Sequence, residues 1–163
     1  MFYQTHKITA LLVLLIISFS SSAFAKKAPN FSLKGDKQKV SLAAYKNQVV
    51  YVDFWASWCK PCQKSFPFMN TLEKKYGNKG LKIIAINLDS DVSAAKGFLK
   101  KNPAKFTVAY DPEGSTAGAY GLKVMPTSYL IDRKGNLINV HKGFKENQKA
   151  KLERMITKAL ASR

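Results

Sequence analysis

Val49-Val50-Tyr51-Val52-Asp53-Phe54-Trp55 runs without a break into Ala56-Ser57-Trp58-Cys59-Lys60-Pro61-Cys62. The first seven residues are apolar, β-branched or aromatic apart from Asp53, with no alternation of polar positions. Such a run predicts a central strand buried on both faces. Beyond Cys59 the apolar residues Phe66, Met69, Leu72 and Tyr76 recur at helical spacing until Gly77 ends the pattern. A buried strand therefore feeds directly into a helix, with both cysteines of the chain at the junction.

Working outward, Leu81 to Leu88 reads as a second buried strand. The amphipathic stretch Val92, Ala95, Phe98 and Leu99 follows and stops before Pro103. This strand, helix, strand, helix order requires parallel pairing with a crossover. Phe106 to Tyr110 predicts a short strand and Ser115 to Tyr120 a short helix. Thr127 to Ile131 and Leu137 to His141, joined by a loop containing Gly135, predict an antiparallel hairpin. Leu152, Met155, Ile156, Ala159 and Leu160 mark one buried face of a closing helix. Upstream, Ala28 to Asn47 is polar with isolated apolar positions and accommodates one or two short strands.

At 163 residues and 46% hydrophobic the chain suits one globular domain with a single core, not a disordered one. Two cysteines are too few for a disulfide scaffold. Residues 1–25 carry His6 and Lys7, an apolar run from Ile8 to Phe19, then small residues ending Ala23-Phe24-Ala25. This is the pattern of a cleaved secretory signal, leaving 26–163 as the domain. An uncleaved membrane anchor is the alternative, and charged Lys26-Lys27 directly after the cut argues for cleavage. The exported chain is then periplasmic or extracellular.

Lys plus Arg number 27 against 10 Asp plus Glu, and loss of Lys7 with the signal takes the net charge from +17 to +16. The basic residues are nearly all lysines, scattered without interleaved aromatics, whereas nucleic-acid readers favour arginine forks. Nucleic acid is therefore not an expected partner. Acidic proteins and anionic membrane surfaces are the partners that such a charge would steer.

Cys59 and Cys62 stand two residues apart on the first helical turn. At that spacing the sulfurs can close a small ring, and the first thiol meets unpaired N–H groups and the helix dipole, which favour a thiolate. Cys59 is thus the expected attacking sulfur and Cys62 the shielded resolving one. Lys60 adds a positive charge, and Pro61 occupies an early position whose N–H is not needed. A structural disulfide, half a zinc site and an inert pair compete with this reading. The first would close too short a loop to gain much, and the second lacks ligands, since beyond Ala25 the chain offers only His141.

The stretch Val52 to Pro67, VDFWASWCKPCQKSFP, resembles the TlpA/ResA-like thiol-disulfide oxidoreductases of the thioredoxin superfamily. Ala28-Pro29-Asn30-Phe31 is similar to their lead-in, Val124-Met125-Pro126-Thr127 to their active-site loop, and Tyr129 to Gly135 to the hairpin after it. The resemblance implies an α/β thioredoxin-like fold, a central mixed β-sheet flanked by helices, with an N-terminal extension and an inserted strand and helix. It implies that Pro126 is cis beside Cys59 and that Met125 leaves backbone groups for an extended substrate. Trp58, Met125, Pro126 and Thr127 are the substrate-binding candidates; Cys59, Cys62 and Asp53 are the catalytic ones. Asp53 matches the buried acid that exchanges protons with the resolving thiol, and desolvation should raise its pKa. Two positions depart from the pattern: Ser65 stands where many relatives carry Glu, and Ala85 where thioredoxins place a Lys.

These residues lead to the expectation of a periplasmic protein that reduces disulfides through Cys59-Lys60-Pro61-Cys62, with no cofactor or metal beyond its own disulfide. Exported client proteins and a membrane electron donor are the expected partners, and a monomer the expected state. A thiol oxidase uses the same two sulfurs in the opposite direction. A Cu(I)-binding module would use the two thiolates with Met125 or His141 as a third ligand.

Overall fold

The structure, a computed structural model, describes residues 26–162. Residues 1–25, expected above to be a secretory signal, lie outside the described residues. The elements in chain order are β1 Ser32–Gly35, β2 Lys39–Ser41, β3 Val49–Trp55, α1 Lys60–Tyr76, β4 Leu81–Asn87, α2 Val92–Lys101, β5 Thr107–Tyr110, α3 Ser115–Ala119, β6 Thr127–Ile131, β7 Leu137–Lys142 and α4 Lys149–Ala161. The predicted strands and helices all appear, with ends shifted by a residue or two.

Seven strands form one sheet in the order β2-β1-β5-β4-β3-β6-β7. The three strands β3, β4 and β5 are parallel, while β1, β6 and β7 pair antiparallel to their neighbours, so the sheet is mixed. The α2–β5 segment widens the sheet on one side, and β1–β2 is the N-terminal extension hairpin beyond it. At Gly35 a Cβ would come within 2.6 Å of the Gln38 carbonyl and 2.7 Å of Val40, so this tight hairpin excludes any side chain there.

β3 is buried at every position, as its uninterrupted apolar run demands. Its side chains alternate between two cores. Val49, Tyr51 and Trp55 face the layer of α1, α2 and α4, packing with Phe66, Phe98 and Ile156. Val50, Val52 and Phe54 face the other side, with Ile84, Ile86, Tyr120 and Tyr129. Phe66 is the hub of the first core, its ring centroid 4.9 Å from Trp55, 5.0 Å from Phe98 and 5.3 Å from Phe106. This packing holds the N-terminus of α1 at the carboxyl end of β3, where both cysteines lie.

Candidate active site

Cys59 is the N-cap of α1 in extended conformation, and its Sγ accepts a hydrogen bond from the Cys62 N–H at 3.3 Å. A sulfur that already receives an orphan helix N–H is placed to be stabilised as a thiolate once reduced. Pro61 sits in the first turn, where no N–H is missed, and Pro67 lies inside the helix. The two sulfurs form a disulfide with an S–S distance of 2.03 Å. Cys59 is 5% exposed and Cys62 0%, so a partner sulfur can approach the first alone.

The Met125–Pro126 peptide bond is cis. The loop that carries it forms one wall of an open cleft of about 440 Å³, with Leu122, Val124 and Met125 facing Trp58, Cys59 and Pro61 across it. Trp58 is 70% exposed. Met125 precedes β6 and takes part in no backbone hydrogen bond among the described residues. Thr127 is buried and its hydroxyl donates to the Val124 carbonyl at 2.7 Å, bracing the loop from beneath. The Gly143 N–H donates to the Pro126 carbonyl at 2.7 Å and ties the loop to the end of β7.

Asp53 is buried on the α1 face of β3, and its Oδ2 has no hydrogen-bond partner among the described residues. Burial holds its carboxyl well above the usual carboxylate range, since nothing nearby offsets the cost of the charge. In the register of the sheet it stands between Ala85 on β4 and Ser128 on β6, and Ser128 in turn pairs with His141 on β7. Burial, with the Asp53 carboxyl second, pushes the Tyr51 phenol far above its ordinary value, while the Ser128 hydroxyl acts in the other direction. Ser65 is buried and its hydroxyl donates to the Cys62 carbonyl at 2.9 Å. It faces the helix and offers no acid to the site. His141 does not line the cleft, whereas Met125 does.

One supporting residue escapes a reading of the sequence. Asp89, just past β4, is buried and accepts from the Ser57 N–H at 2.9 Å, the Ser57 hydroxyl at 3.0 Å and the Asn87 Nδ2 at 2.7 Å. Ser57 lies two residues before Cys59, so this carboxylate clamps the loop that delivers the attacking sulfur. An Asp after a strand ordinarily reads as turn chemistry. Only the pairing of β3 with β4 brings it under Ser57.

The arrangement performs dithiol-disulfide exchange: an approachable sulfur at a helix N-terminus, a shielded one a turn on, and a buried carboxyl on the same face of the sheet. Comparison with known proteins agrees. The redoxin family matches residues 24–156. The thiol-disulfide oxidoreductase ResA of Bacillus thuringiensis subsp. konkukian is 42% identical over 134 residues, 82% of this chain and 76% of that protein. ResA of Bacillus subtilis is 30% identical over 152 residues, 88% of this chain and 85% of that protein. Among solved structures, a Chlorobium tepidum chain proposed to be the thiol:disulfide interchange protein DsbE superposes with a TM-score of 0.83 at 49% identity. It covers 84% of this chain and 97% of its own.

Proposed function

The chain belongs to the redoxin family as a ResA-like thiol-disulfide oxidoreductase of thioredoxin fold, and from that premise we propose that it reduces disulfides of exported proteins outside the cytoplasm. The observation that carries the reading is the placement of Cys59. It caps α1, opens onto the cleft, and faces Met125, whose backbone groups are unpaired among the described residues.

In the reduced protein the Cys59 thiolate attacks one sulfur of a client disulfide. A mixed disulfide forms and the other client sulfur leaves as a thiolate, which takes a proton. Cys62 then attacks Cys59, the enzyme disulfide closes, and the second client sulfur departs with the proton that Cys62 gives up. Asp53 is the buried group able to hold that proton in transit. The two electrons come from the enzyme dithiol, so no cofactor or metal enters. A dithiol donor, held in the membrane for an exported protein, must return them.

Direction depends on how strongly the reduced thiolate is stabilised. Ala85 stands opposite Asp53, so this position of β4 supplies no cation that would favour a thiolate, which supports the reducing direction. The signal-like residues 1–25 support export and cleavage after Ala25, and the use of the apolar helix faces by the core supports a monomeric working state. No helix among the described residues is long and apolar enough to cross a membrane.

The test is a Cys62→Ser variant expressed with its leader. Mixed disulfides joining Cys59 to exported clients should accumulate, and their absence under conditions where the variant is folded would overturn the mechanism. The equilibrium potential of the pair then decides direction: a strongly oxidising value would make the protein a disulfide donor.

A further inference from the structure

We infer that the client segment this protein engages is acidic: an extended stretch with carboxylates flanking its disulfide cysteine and an apolar side chain beside it. This specifies the substrate class of the exchange proposed above and rests on that reading.

Each wall of the cleft combines apolar surface with one lysine. Trp58 at 70% exposure stands next to Cys59 and Lys60, and Val124 at 50% stands next to Lys123. Among the described residues four large hydrophobic side chains are exposed, and the two most exposed of them line this cleft. Apolar surface left open beside a reactive sulfur is surface that a partner covers.

Lys60 and Lys123 are exposed, and neither makes an ion pair among the described residues, where the pairs are Lys75–Glu153 and Lys149–Glu146. Lys64, one turn further along α1, is also exposed. Among the described residues no carboxylate lines the cleft. The acids of the adjoining segments are occupied elsewhere: Asp89 holds Ser57, Asp91 caps α2 through Ser93, and Asp111 accepts from Ala117 and Ser115. An incoming segment therefore meets two unneutralised ammonium groups astride Cys59. The net charge, +17 for the full chain and +16 without residues 1–25, adds long-range attraction of the same sign. An anionic membrane surface would meet the same lysines, but it brings no sulfur to Cys59, and the reacting atom lies in the cleft itself.

The experiment uses the reduced protein as purified and three peptides carrying a Leu-Cys pair whose sulfur is disulfide-linked to thionitrobenzoate. The flanking residues are Glu, Gln or Lys, and release of thionitrobenzoate reports the second-order rate. At low salt the Glu peptide should react about tenfold faster than the Gln peptide, the size expected of two exposed ion pairs, and the Lys peptide slowest. The ratio should fall towards unity at high salt. Lys123→Gln should weaken the preference and Lys123→Glu reverse it. Because rates are compared as ratios within one variant, a general loss of reactivity does not imitate the effect. Equal rates for the three peptides would overturn the inference and leave the exchange reading standing, as would a Glu preference unmoved by salt and by Lys123→Glu. The same holds if phosphatidylglycerol vesicles bind the cleft lysines while the peptides show no preference. Reaction with none of the peptides would overturn the exchange reading as well.

Discussion

Asp53 of β3 stands directly opposite Ala85 of β4, so the one buried carboxyl on the α1 face of the central strand meets a methyl group on its parallel neighbour. Ser128, its partner on the other side, is a neutral hydroxyl. Desolvation thus acts on this acid without opposition, which favours its protonated form and makes it a cost to the fold whenever it ionises.

The sign of that cost is testable. Between the unfolded value of 3.8 and its own raised value, Asp53 keeps its proton in the native state and loses it on unfolding, so stability falls as pH rises through this window and is level above it. Asp53→Asn should therefore be more stable than the wild type at pH 8, by about 4 °C in Tm for each kcal/mol recovered, and the difference should vanish towards pH 4. The same variant should slow release of the mixed disulfide about a hundredfold, the lower end of what a positioned acid-base group contributes. Thermal melts across pH and single-turnover exchange check the two halves.

Asp89→Ala should cost about 3 kcal/mol, since the Ser57 N–H, the Ser57 hydroxyl and the Asn87 amide all lose a charged acceptor in a buried place. Exchange at Cys59 should slow by roughly tenfold because the loop before it is no longer held. Urea unfolding and the rate with a model disulfide measure these separately, and an unchanged rate would show that α1 alone positions the sulfur.

Phe66→Ala removes the ring shared by Trp55, Phe98 and Phe106, and should cost about 4 kcal/mol. Its reduction potential should remain near the wild-type value, because the lost contacts lie in the core and leave the first turn of α1 intact. Denaturant midpoints and a glutathione titration decide this.

His141 on β7 titrates below its ordinary 6.5, chiefly through burial, with Lys151 acting in the same direction and the Gln148 contact against it. A histidine held neutral in the native state loses stability as pH falls through 6.5 towards its folded value. His141→Gln should flatten that acid-side loss, so the Tm of the variant should fall less than that of the wild type between pH 7 and pH 5.

Much of the molecule is legible along the chain. The run Val49 to Trp55 reads as a buried strand because every side chain in it is one that a doubly covered strand requires. Cys59, Lys60, Pro61 and Cys62 read as a helix start because capping and proline tolerance are local rules. The cis bond before Pro126 and the burial of Asp53 in a site that raises its pKa were reachable through resemblance, since nothing in a Met-Pro pair or a single Asp dictates them. Asp89 and the cleft wall of Leu122 to Met125 were not legible, because each acquires its function from a neighbour far away in the chain.

The sequence by itself determined the elements, the pair of sulfurs and the helix terminus that activates one of them, since all of these follow from spacing within a turn or a strand. Only the tertiary structure decided that Asp53 meets Ala85 and Ser128 and that Asp89 reaches Ser57. It likewise decided that Lys60 and Lys123 come to flank one cleft. Register and cleft geometry arise when strands pair and helices pack, through contacts between residues tens of positions apart, and those contacts are set by burial of the whole core rather than by any local pattern.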